Sequence, residues 1–175
     1  MVARLEHHLR NTVRTYRVTL ADLATSTAGS TSGAQVCFEV VGAPNKKVKL
    51  VHFQNFKPSV PLAPFRLLQY SAATTGSTGQ TNISPTRISG SGDSTFGGQV
   101  KFYTLSPVSA SGTLLNQGSL VDQDLSTGDV VNEHFGDEGG IGRPELISTG
   151  ESFAGQWVST SAATLNGYIE FTEEP

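Results

Sequence analysis

The sequence predicts an all-β protein, a single jelly-roll-like β-sandwich or barrel with an N-terminal arm. Three observations carry that expectation. Apolar and polar residues alternate over short segments from Tyr16 onwards, as half-buried strands do. Turn-forming Gly, Pro, Asn and Ser punctuate these segments. Charge is sparse, with 15% Lys, Arg, Asp and Glu, while Gly, Ser and Thr number 19 each. Ser and Thr therefore supply the polar surface that Lys and Glu usually supply, a pattern suited to strands because Thr tolerates the pleat and Gly the tight turn. A length of 175 residues fits one domain with one core.

In chain order, "TYRVTL" puts Tyr16, Val18 and Leu20 on one face and Arg17 and Thr19 on the other. "QVCFEVV" sets Val36, Phe38 and Val40 against Cys37, Glu39 and Val41. "KVKLVHFQN" is apolar on alternating sides, first at Val48 and Leu50 and then at Val51 and Phe53, as expected of a central strand covered on both faces. "FRLLQYS", "QVKFYTL", "SFAGQWVST" and "NGYIEFTEE" continue the pattern, with weaker candidates at Ile83 to Ile88 and Leu146 to Ser148. About eight to ten strands are expected, spaced as in a sandwich or barrel. The core is expected to contain Val36, Phe38, Val40, Leu50, Phe53, Leu67, Val100, Phe102, Ile169 and Phe171. "NEHFGDEGGIGRPELIS" has neither strand nor helix period and reads as a long loop. The Ser/Thr/Gly runs, including "SAATTGSTG" after Tyr70, read as hairpin loops and edge segments, because neither half of the chain holds enough strands to close a core alone.

Residues 1–20 form the arm leading into the first strand, and residues 21–175 the β-sandwich body. In the arm, Val2, Leu5, Leu9, Val13 and Tyr16 recur at spacings of three and four, which suits a short helix or an extended segment. Four arginines against Glu6 give this segment a charge of +3, while the other 8 basic and 14 acidic residues give the body −6. Val2, Arg4, Leu5, Leu9, Arg10, Val13, Arg14 and Arg17 are therefore the candidate contact residues, apolar burial supplying affinity and charge guiding approach. No basic stripe with interleaved aromatics marks a nucleic-acid platform. No apolar run is long enough to span a membrane. The N-terminus lacks the apolar core of a secretory signal, which suggests synthesis and folding in a cytoplasm.

Chemistry is weakly signalled. "GSTGQT" and "GSGDSTFGG" resemble phosphate loops only in glycine content, lacking the Lys and the following helix. "DQDLSTGD", Asp122 to Asp129, spaces acids as calcium ligands would but lacks the EF-hand Gly and Glu, so it reads as a turn. His7 and His8 are neighbours, His52 lies in a strand, and His134 falls in the acidic "NEHFGDE" segment; no three converge in sequence. Cys37 is the only cysteine, and no nucleophile elbow is present. The expectation is a protein without catalytic residues, metal or cofactor.

The order of segments adds a second line. "TYRVTLADLATSTAGSTSGAQVCFEVVGAPNKKVKLVHFQ", then "LLQYSAATTGSTGQ", "SPTRISGSGDST", "VKFYTLSPVSASGTL" and a terminal "YIEFTEE" follow one another from Tyr16 to Glu174. In that order the chain resembles a module common among virion structural proteins of tailed bacteriophages. It departs from the pattern at "KPSVPLAP", which lengthens one connection, and around Ile141 to Pro144. The resemblance implies a non-enzymatic capsid decoration (cement) protein that binds the outside of the phage head. Its partner would be the major capsid protein, its location the virion surface, and its assembly a homotrimer at local threefold positions. The alternative is a tail or head-fibre protein that binds host glycan, with the Trp157 region and the loops as a stacking platform.

Overall fold

The computed structural model of the protein describes residues 13–20, 23–24, 35–56, 63–75, 80–89, 95–103, 112–115, 120–125, 130–136, 143–157 and 164–175. These residues form strands and connections without a helix: β1 (Arg14–Thr19), β2 (Leu23–Ala24), β3 (Gln35–Val41), β4 (Lys47–Phe56), β5 (Ala63–Tyr70), β6 (Gln80–Ile83), β7 (Thr86–Ser89), β8 (Gln99–Tyr103), β9 (Val121–Leu125), β10 (Val130–His134), β11 (Glu145–Leu146), β12 (Ser152–Trp157) and β13 (Thr164–Glu174).

They build two sheets whose pairings are all antiparallel, as expected of a β-sandwich. The first runs β10-β4-β13-β1-β7, with β11 also on β4 and β2 on β13; the second runs β6-β8-β3-β12-β5-β9. Between the sheets, Phe53 of the first lies parallel to Phe65 of the second at 5.4 Å between ring centroids, and both pack on Phe38. A second aromatic group, Tyr16, Phe96 and Phe171, packs within the same core. All ten residues expected in the core are buried.

Two bulges explain where simple alternation fails. In β3, Phe38 faces Gly155 and Val36 faces Gln156, so Cys37 has no partner across from it. The extra residue reverses the phase: Cys37 joins Phe38 and Val40 in the main core, while Val36 turns to the outer face beside Tyr103 and Ala154. In β4, His52 faces Glu170 and Leu50 faces Phe171, which leaves Val51 as the inserted residue. The shift from Val48 and Leu50 to Phe53 is thus a bulge keeping all three in one core, not a strand with two apolar faces. The segment expected as a long loop also contains structure, because Asn132 to His134 end β10 and Glu145–Leu146 form β11. Asp122 and Asp124, expected in a turn, lie in β9 opposite Arg66 and Pro64.

Leaving β5, the chain crosses the outer face of the second sheet. Ser71 N–H donates to the Thr113 carbonyl, and Leu115 N–H to that of Gln69, which ties residues 112–115 alongside. Gly112 sits at a φ of 78°, and a Cβ there would strike Ala72, so only glycine suits this crossing.

Gly155 has a packing requirement of its own. A Cβ on it would collide with the ring of Phe38, which covers the glycine from the neighbouring strand and is fully buried. Gly155→Ala is expected to lower stability by about 1–3 kcal/mol through overpacking. In urea unfolding the midpoint should fall while the m-value stays unchanged.

Candidate functional site

Two polar groupings stand out, one on each sheet. On the outer face of the first, antiparallel register sets one residue per strand in a row: Thr86 of β7, Arg17 of β1, Glu170 of β13, His52 of β4 and His134 of β10. Arg17 Nε donates to Glu170 Oε1 at 2.7 Å, with Nη2 on the same oxygen, while its guanidinium lies 4.4 Å from the centre of the Tyr168 ring. His52 is 7% exposed, although it faces outward. Its Nε2 meets Asn132 Oδ1 at 2.6 Å, and its Nδ1 lies 3.0 Å from the Tyr168 hydroxyl and 3.9 Å from Glu170 Oε2. An amide oxygen only accepts, so the network assigns the proton to Nε2 and leaves Nδ1 to accept from Tyr168. The exposed His134 ring stacks on His52 at 3.8 Å between centroids and 19° between planes.

A carboxylate beside a histidine could support general acid-base chemistry if the other ring nitrogen reached a nucleophile. Here that nitrogen meets the amide of Asn132. The row therefore holds strands together and presents a fixed polar surface. Arg17 is 44% exposed at its side chain, so its ion pair contributes at most about 1 kcal/mol.

The second grouping is buried. Glu39 is 0% exposed and lies on the outer face of the second sheet beneath Thr74. Thr74 donates to it from its N–H at 3.1 Å and from Oγ1 at 2.7 Å. The Tyr103 hydroxyl donates at 2.8 Å and the Ser152 hydroxyl at 3.1 Å. Lys101, opposite Glu39 on β8, sends its Nζ to the Thr74 carbonyl at 3.1 Å. The two charged residues thus hold Thr74 from both ends of its backbone. Burial first, and then the charge of Glu39, push the Tyr103 hydroxyl above its ordinary value of 10.0.

The candidate contact residues fall in two sets. Arg14 and Arg17 lie in β1, and Val13, half-buried, immediately precedes it. Val2, Arg4, Leu5, Leu9 and Arg10 lie outside the described residues, as do His7 and His8. His134, expected in an acidic loop, ends a strand instead, where the register with β4 delivers it to His52. Both glycine-rich runs lead into strands: "GSTGQT" into β6 and "GSGDSTFGG" into β8. Neither has the helix N-terminus a phosphate loop uses. Among the described residues no three His, Cys, Asp or Glu side chains converge as metal ligands. Glu39 escaped sequence reasoning, although an acid flanked by Cys37 and Val41 in an apolar strand was its available signal.

Compared with known proteins, the chain matches no family model, no curated protein and no solved structure.

Tyr103→Phe removes one donor from a buried carboxylate and should cost about 1.5–3 kcal/mol at neutral pH. Because the folded protein retains the phenol proton that the unfolded chain releases, the stabilisation linked to this group is complete below pH 10.0 and is lost as pH rises towards the folded value. Stability of the parent protein should therefore decline more steeply above that pH than stability of the variant. Urea denaturation on both sides of it, monitored by near-ultraviolet circular dichroism, checks both expectations.

Proposed function

We propose that the protein is a non-enzymatic virion structural protein, a capsid decoration (cement) protein that binds the outer surface of a phage head and stabilises it. In this reading the sandwich is of jelly-roll type, the residues ahead of β1 act as an arm reaching the major capsid protein or a neighbouring copy, with Arg14 to Leu20 belonging to the sandwich, and three copies gather at a local threefold position. Such a protein stabilises by mass action, because it binds the assembled shell and not the free subunits.

One observation carries the reading. Among the described residues, Glu39, Tyr103, Lys101 and Glu170 are engaged in bonds that hold the chain's own fold together. That arrangement suits a rigid body whose task is contact. The order of segments from Tyr16 to Glu174 supports the phage assignment within that class. The glycan-binding alternative has in its favour the exposed Arg17 and His134 side chains on the first sheet, planar groups of the kind that contact sugars.

Copy number on purified particles separates the two. Hundreds of copies per particle are expected of cement, whereas a dozen or fewer would place the protein in the tail or fibre. Deletion of residues 1–11 is expected to reduce occupancy on undecorated heads, and the charge-dependent part of that loss should shrink at high salt because screening already weakens it in the full chain. Full occupancy by the truncated chain would assign attachment to the body alone.

A further inference from the structure

We propose that His52, His134 and Asn132 form a binding site for one divalent transition-metal ion, of the zinc or nickel type, on the outer face of the first sheet. The inference stands apart from the capsid reading and rests on the geometry of two neighbouring strands.

His52 and His134 are direct partners across the β4–β10 pair, and Asn132 precedes His134 by two residues on the same face. Imidazole suits zinc, nickel and copper. Two nitrogens bound to one tetrahedral ion at ordinary zinc–nitrogen lengths lie about 3.3 Å apart. The ring centroids stand 3.8 Å apart, a stacking distance between rings, and the two nitrogens take up the ligand spacing only when the His134 ring leaves the stack. Their planes are nearly parallel, and the lone pairs do not yet converge. Rotation of the His134 ring supplies the convergence, and that ring is exposed at the end of an edge strand. Asn132 Oδ1, 2.6 Å from His52 Nε2, is a neutral third donor on the same side. Water would complete the coordination.

The other side of His52 is built to orient it. Metal binding at Nε2 requires that nitrogen's lone pair, so its proton must move to Nδ1. There the Tyr168 oxygen at 3.0 Å and Glu170 Oε2 at 3.9 Å face it as acceptors. Arg17 in turn fixes the carboxylate. A metal-bound histidine whose second nitrogen donates to a carboxylate or hydroxyl is a recurring arrangement that strengthens the ligand.

The test uses the full chain carrying His7→Ala and His8→Ala, which leaves His52 and His134 as the only histidines. Calorimetric titration with zinc chloride and with nickel chloride should show one ion per chain. Adding His134→Ala, or separately His134→Gln, should weaken binding about tenfold or more, while circular dichroism stays that of the parent. Nitrogen-15 NMR should find the His52 proton on Nε2 without metal and on Nδ1 with zinc. Absence of saturable binding, undiminished affinity in both His134 variants, or an unchanged His52 tautomer in the zinc-loaded protein would each overturn the proposal.

Discussion

A carboxylate placed where water cannot reach it sets the terms for one whole side of the molecule. Glu39 is fully buried, and removing an unpaired charge from water costs several kcal/mol. The fold meets that cost with hydroxyl donors from β8 and β12 and with both the N–H and hydroxyl of Thr74. Two of these four donors come from the single residue laid over the sheet, so the carboxylate is fully satisfied only when the segment after Tyr70 crosses this face. The Ser-Ala-Ala-Thr-Thr run is therefore a strap whose small residues allow a close approach and whose Thr74 is its anchor. Beneath it lie Val36, Tyr103 and Ala154, a second apolar cluster that an uncovered sheet would expose.

The strap also accounts for the crossing of Lys101. A buried ammonium next to a buried carboxylate would ordinarily pair with it directly. Here Lys101 instead takes the carbonyl of Thr74, which leaves the carboxylate to the neutral donors. Dividing the two charges between opposite ends of one residue fixes its backbone direction as well as its position, because reversing the strap would present donors to Lys101 and acceptors to Glu39.

Much of the fold was legible from local pattern. Alternation located β1, β3, β4, β5, β8, β12 and β13, and it selected core residues that the structure buries. It failed at Cys37 and Val51, because a bulge is a property of two strands and the partners, Gly155 and Phe171, stand more than 100 residues away. It failed at β9 and β10 for a different reason: their sequences are rich in Asp, Asn and Gly-adjacent residues that favour turns, and only pairing with β5 and β4 makes them strands. The polar row across the first sheet was invisible for the same reason. Arg17, His52, His134 and Glu170 share a face only through register, and no spacing along the chain announces it.

The two outer faces consequently offer different surfaces to a partner. Among the described residues, Thr74 covers Glu39 on the second sheet, while the polar row on the first is exposed at Arg17 and His134. Arg17 shows what recruitment of that row would entail. A partner carboxylate that took the hydrogens now given to Glu170 would displace that side chain, and the freed Glu170 would then face His52 without its cation. Exchange of one exposed ion pair for another yields little net free energy. In the proposed capsid contact, affinity would come mainly from the apolar Val2, Leu5 and Leu9, whose burial would be worth roughly 1.5–3 kcal/mol each. β1 lies between β13 and β7 with Arg14 opposite Glu173, so the described chain enters this sheet beside the Lys46–Glu173 ion pair.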